Sequence, residues 1–205
     1  MMTIYSRRDI DLMPSRYRAN FVNCLSGFKS ANLIGTQSKA NGANLAVFNS
    51  VFHVGANPPL LGMVVRPHTV RRDTLENILE TGEFTINHIS AEMVSAAHQT
   101  SAKYPQNISE FDAVGLTPEY RKHLSVPYVG ESRIKIGLSC QEVIPIKANN
   151  THIVIGEIQE VVAPEEALHE DGQIRLESLN GITINGLDSY YRAQFLARFD
   201  YATPE

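Results

Sequence analysis

Two short stretches of this chain carry residues whose types and spacing suit chemistry on one ligand. The first, residues 42–50, reads GANLAVFNS. Its small residues leave backbone amides approachable. Asn44, Asn49 and Ser50 set short polar groups beside an apolar wall of Leu45, Val47 and Phe48, with Ala46 between them. The second, Arg71-Arg72-Asp73-Thr74, places two guanidiniums just before a helix start. A helix N-terminus offers unpaired N–H groups and a partial positive charge, so it suits a phosphate. Arg72 can grip a phosphate bidentately, and Thr74 can add its hydroxyl beside free helix amides. Asp73 carries the wrong charge for a side-chain contact, which leaves only its backbone N–H. Two plainer readings stand beside this one. Residues 72–74 can be no more than a capped, solvated helix start, and Asn44, Asn49 and Ser50 can simply satisfy turn and strand-edge hydrogen bonds.

The elements that must position these groups follow from the pattern. Residues 1–20 are polar and interrupted by Pro14; they read as an N-terminal arm able to cross a partner subunit, ahead of a single domain over 21–205. Residues 31–36 read as a strand, Lys39-Ala40-Asn41-Gly42 as a turn, and 43–52 as a second strand pairing back in a hairpin. Residues 60–65 read as a buried strand. A helix starts with Asp73 as its cap and Glu76 three residues on; Leu75, Ile78 and Leu79 form its apolar stripe, and Gly82 ends it. Residues 83–89 read as a strand, and Ser90 caps a short helix to about 99. The stretch 100–132, with little periodicity, reads as an excursion with at most short helices. Ile134, Ile136, Leu138 and Cys140 alternate with Arg133, Lys135, Gly137 and Ser139, the period of a half-buried antiparallel strand; 152–162 is another. Strands without βαβ alternation predict a mainly β fold with some α, a closed or split antiparallel barrel.

Composition narrows the function. At 205 residues and 43% hydrophobic the chain fits one domain with an ample core. A net charge of −4 and a pI near 6.0 argue against a nucleic-acid surface. No apolar run approaches a membrane span, and the N-terminus lacks the apolar region of a secretory signal, so the cytoplasm is the expected compartment. Cys24 and Cys140 stand far apart and form no Cys-x-x-Cys. There is no Gly-x-Gly-x-x-Gly, no phosphate-binding loop ending in Gly-Lys-Ser/Thr, no metal-spaced histidine pair and no Gly-x-Ser-x-Gly elbow. A nicotinamide, if used, is then a transient substrate.

A planar amide-rich surface with an anion clamp is what a flavin mononucleotide needs, and the residues resemble a family built on that pairing. They are similar to the flavin reductase-like, FMN-binding split-barrel proteins. Asn44-Leu45-Ala46, Pro58-Pro59-Leu60, and then Arg66, Asp73, Thr74, Asn77 and Ile78 fall in register with the family pattern. Gly82-Glu83-Phe84 with Asn87, Ser101, Tyr104-Pro105, Glu110-Phe111, Gly115-Leu116-Thr117, Cys140 and Gly156-Glu157 extend it, so that it covers roughly residues 25–192. Val47-Phe48 stand where Pro-Tyr is usual, Asn49 where Ser is, Gly55 where a polar residue is, and Arg72 where Lys is common. Those departures bear on substrate preference more than on flavin binding.

The resemblance implies an antiparallel Greek-key split barrel with a few peripheral helices. It implies bound FMN reached by residues 44–50, Arg66 and 72–74, with Ala102 and Lys103 in a loop over the flavin. Tyr190, in the late Gly-Leu-Asp-Ser-Tyr-Tyr segment, either stacks near the flavin's apolar edge or fills an interface. Asn87 is either a satisfied barrel group or a ribityl contact, and Lys103 either a ligand or a solvated lysine. The implied activity is hydride transfer from NADH or NADPH to flavin, catalysed by the flavin itself, with a monooxygenase as one partner it could supply. The alternative is a flavoredoxin-like electron carrier reduced by a protein donor. A homodimer with flavin near the interface is implied in either case.

Overall fold

A computed structural model describes residues 1–67, 73–105 and 107–204. The arm is helical: α1 (Arg7–Leu12) opens on a capping box between Ser6 and Asp9, and α2 (Ser15–Cys24) follows Pro14. Neither helix buries a residue. The chain then runs through β1 (Lys29–Ser30), β2 (Asn32–Ser38), β3 (Gly42–Phe48), β4 (Val51–Ala56), β5 (Pro59–Val65), α3 (Asp73–Thr81) and β6 (Glu83–His88). After a 3-10 turn at Ala91–Met93 come α4 (Val94–Gln99), α5 (Glu110–Val114), β7 (Pro118–Arg121), β8 (Leu124–Val129), β9 (Lys135–Ile146), β10 (Thr151–Val162), β11 (Ile182–Asn185) and β12 (Ser189–Arg192).

Every pairing among the named strands is antiparallel. The main sheet has seven strands in the order β3-β2-β6-β9-β10-β5-β4. Its two edge strands, β3 and β4, are consecutive in sequence, so at Asn49 and Ser50 the chain passes from one edge of the sheet to the other. The sheet is therefore an unclosed barrel, split at that seam, as the alternating patterns predicted. The single strand expected over 43–52 is two strands for the same reason. Ser50 is taken up by β5, donating its hydroxyl to the Val64 carbonyl at 2.8 Å and accepting the Val64 N–H at 3.3 Å.

Alternation in β2 sends neighbours into different cores. Leu33 joins Leu45, Phe111, Met93 and Ile184 on one face; Ile34 joins Met63, Leu75, Ile78, Phe84 and Val154 on the other. The helix α3 plugs the second core with Leu75 and Ile78, each 1% exposed, while Leu79 is 63% exposed. The expected stripe thus shifts by a few tens of degrees: Thr74 and Asn77 are buried in place of Leu79, because this face also reaches a polar site. Asp73 is the first residue of α3 rather than its cap, and the preceding residue lies outside the described ones. Gly82 ends the helix as expected, at φ +74°, its N–H on the Ile78 carbonyl.

The stretch 100–132 holds more order than its sequence suggested. β7 and β8 form a hairpin whose Val126, Tyr128 and Val129 are wholly buried. β8 lies so close to β2 that a Cβ at Gly35 would stand 2.2 Å from the Pro127 carbonyl oxygen. Lys135, expected to face solvent, is 6% exposed and ion-paired with Glu119 of that hairpin. The remaining sheet, β1-β11-β12, covers the first core beside α4.

Candidate functional site

The geometry begins at the β2–β3 hairpin. Gly42, at φ +84°, makes the turn that brings Asn44 opposite Thr36. The Asn44 amide donates to Thr36 Oγ1 at 3.1 Å and to Thr74 Oγ1, in the first turn of α3, at 3.4 Å. Asn77 donates to the same Thr36 hydroxyl at 3.0 Å. The two stretches that the sequence separates by some thirty residues are therefore joined around Thr36, a residue the sequence gave no reason to choose. Asn77 was visible in the spacing, three residues after Thr74.

A cleft of about 340 Å³, counted to its open mouth, lies beside this junction. Asn41, Asn44, Asp73, Asn77, Tyr104 and Glu110 are among its walls. Glu110, the first residue of α5, reaches 65 positions back along the chain to accept the Leu45 N–H at 3.0 Å. Burial, and secondarily the nearby Asp73 charge, raise its carboxyl above the ordinary range against the pull of the Leu45 and Glu110 N–H groups. Since the Leu45 N–H points to Glu110, the ladder's alternation turns the N–H and C=O of Val47 to the same outer edge. Two positions on, the Asn49 side chain donates to the Gly186 carbonyl at 2.8 Å.

The other candidate residues are distributed as follows. Leu45 is wholly buried in the first core, with Val47 packed on it; Phe48 faces the second core. Ala46 is half-buried on β3, and Ser50 is spent on β5. Arg66 is exposed just past β5, and Arg72 lies outside the described residues, as does Arg71. Ala102 and Lys103 are exposed in the loop leading to Tyr104. Tyr190 packs on the first core, and its hydroxyl lies 3.1 Å from His98 Nδ1, with the two rings edge to face.

Asn87 has two readings. It is wholly buried; its amide donates to the Leu33 carbonyl and Thr85 Oγ1, and its oxygen accepts the Val129 N–H. Both ends are engaged within the protein, so it staples β2, β6 and β8 as the satisfied barrel group of the two readings.

The arrangement offers a bare strand edge with donor and acceptor, side-chain amides, and the N-terminus of a nine-residue helix in one place. That set has the chemistry to suit a planar ring with alternating polar edge atoms joined to an anion. Among the described residues no cluster fit to hold a metal is present, and no helix is long and apolar enough to cross a membrane.

The chain is similar to known proteins along most of its length. The family model described as "Flavin reductase like domain" matches residues 25–178. A solved split-barrel structure from Shewanella frigidimarina, described as a candidate flavin reductase, is 47% identical, covers 98% of this chain and 100% of its own, and superposes with a TM-score of 0.94. Nitrilotriacetate monooxygenase component B from Bacillus cereus is 25% identical over 97% of this chain and 98% of its own, at a TM-score of 0.84. Flavoredoxin from Desulfovibrio vulgaris (Miyazaki F) is 28% identical over 84% of this chain and 91% of its own, at 0.72.

Proposed function

This chain belongs to the flavin reductase-like domain family, and from that premise we propose that it binds FMN along the outer edge of β3 and reduces it with NADH or NADPH. The observation that carries the reading is the convergence of Asn44 and Thr74 at 3.4 Å beside that edge. The Val47 N–H and C=O match the donor and acceptors of the flavin pyrimidine. From Val47 back to Asn44 is about 10 Å along the strand, the scale of a ribityl chain with its phosphate. Thr74 and the α3 amides then receive the phosphate, with Arg72, outside the described residues, as its proposed charged partner. Bound there, FMN supplies the hydride-accepting chemistry.

The protein's own part is to hold the ring against β3, to keep one face open to a nicotinamide, and to aim N–H donors where negative charge grows on reduction. None of these tasks needs an acid–base pair, in keeping with the composition of the site. We further propose a homodimer that brings the exposed apolar residues of the two chain ends against a second copy, with the flavin near the interface.

Anaerobic stopped flow tests the reading. NADH or NADPH should bleach the bound flavin, and free FMN should sustain turnover. The likeness to flavoredoxin favours one second reading, an electron carrier. It wins if both nicotinamides leave the flavin oxidised while an iron–sulfur protein reduces it.

A further inference from the structure

We infer that Glu110 is a positioning residue for the ligand-facing edge of β3; the inference rests on the flavin reading above. As an edge strand of the main sheet, β3 has β2 as its sheet neighbour, and an edge strand's outward groups are the least restrained part of a sheet. Here that edge is tied on either side of Val47. Glu110 Oε2 accepts the Leu45 N–H at 3.0 Å, and Asn49 donates to the Gly186 carbonyl at 2.8 Å. Val47, whose N–H and C=O are to meet the ring, lies midway between the two ties.

The Glu110 carboxylate is itself fixed from behind. Phe111, the next residue, is wholly buried in the core that also holds Leu45. Gly115, at φ +71°, ends α5 after five residues, so the helix serves as a short bracket. The ties differ in chemistry. Asn49 is a neutral donor to a turn, whereas Glu110 places a carboxylate on a backbone donor inside the cleft, a charge-assisted bond stronger than a neutral one. Among the described residues, the charged and titratable groups that share the cleft with it are Asp73 from α3 and Tyr104 from the preceding loop.

The test uses riboflavin, which has no phosphate, so that loss of a nearby negative charge does not itself alter affinity. E110A should bind riboflavin about tenfold more weakly, the cost of one charge-assisted hydrogen bond, and should shift the visible absorption bands of the bound flavin. E110Q keeps an acceptor for the Leu45 N–H and should restore both. Wild-type affinity and spectrum in E110A overturn the inference, and so does an E110Q loss as large as that of E110A. Should E110A fail to fold by thermal melting, hydrogen exchange in the wild type decides. A Leu45 amide protected like those of the β2–β3 ladder supports the tie, and one exchanging at the rate of an open edge overturns it. Wild-type protein that binds neither FMN nor riboflavin removes the flavin reading itself, whereas equal yellow complexes in wild type and E110A remove the positioning role alone.

Discussion

Individual polar residues here divide into those facing a ligand and those that bind the fold together. Arg72 belongs to the first group on the sequence, just ahead of Asp73 and Thr74. Arg72→Ala should weaken FMN binding roughly ten- to hundredfold, the value of a hydrogen bond to a charged group, and leave riboflavin nearly indifferent. Equal losses in a titration of both would make Arg72 structural. His88, at the end of β6, matters through its burial instead. Burial drives its imidazole from 6.5 to about 4, so it stays neutral in the folded chain while the unfolded chain takes up a proton. Across that window the unfolded state binds more protons, so stability falls on acidification and is recovered as pH rises to 6.5. The effect is at most about 3 kcal/mol. Denaturant melts at pH 7 and pH 5 should show the loss in the wild type and a smaller one in His88→Leu; identical losses would place the acid sensitivity elsewhere.

Among elements, the crossing of β2 by β8 brings backbone against backbone at Gly35. Gly35 has Pro127 O and Thr85 Oγ1 at 2.2 and 2.5 Å from where a Cβ would stand, and Thr85 already donates to that same carbonyl at 2.7 Å. Backbone, unlike a flexible side chain, cannot yield there. Gly35→Ala should cost about 3 kcal/mol or more, lowering the melting temperature by roughly 6–12 °C in a chain of this size. An unchanged melting temperature would mean that the hairpin is free to lift. Gly42→Ala is the control, since nothing stands within 4 Å of it and only its φ of +84° is strained.

At the scale of the molecule, both ends present apolar side chains to solvent. Tyr17, Val22, Leu25 and Phe28 are exposed at one end, and Phe195, Leu196, Phe199 and Tyr201 at the other. The ends adjoin, since Phe28 packs edge to face on Tyr191, and Arg198 pairs with Asp171 to pin the tail. These exposed apolar side chains are what the proposed dimer would cover. Light scattering should give twice the 22.8 kDa chain mass, and deletion of residues 193–205 should weaken the dimer. A monomer at micromolar concentration, with flavin still bound, would refute the shared site.

The sequence by itself determined the local chemistry: the Asn41-Gly42 turn, the helix ended by Gly82, the period-two strands, and an ordered set of residues sufficient to place the family. Those signals are local, and local sterics and hydrogen bonding produce them wherever they occur. Its errors have a common physical origin in long-range contact. The strand at 124–129 carries little period because Leu124 and all of 126–129 are buried, and Lys135 is buried because Glu119 compensates its charge. Asn87 is indistinguishable by type from a ligand contact until its partners on β2, on β8 and on its own strand β6 are in place. Only the tertiary structure decided that Asn44 meets Thr74, that Thr36 holds both amides, and that Glu110 reaches Leu45. Side-chain reach across a sheet edge depends on the register and the split of the barrel, and no spacing along the chain encodes either.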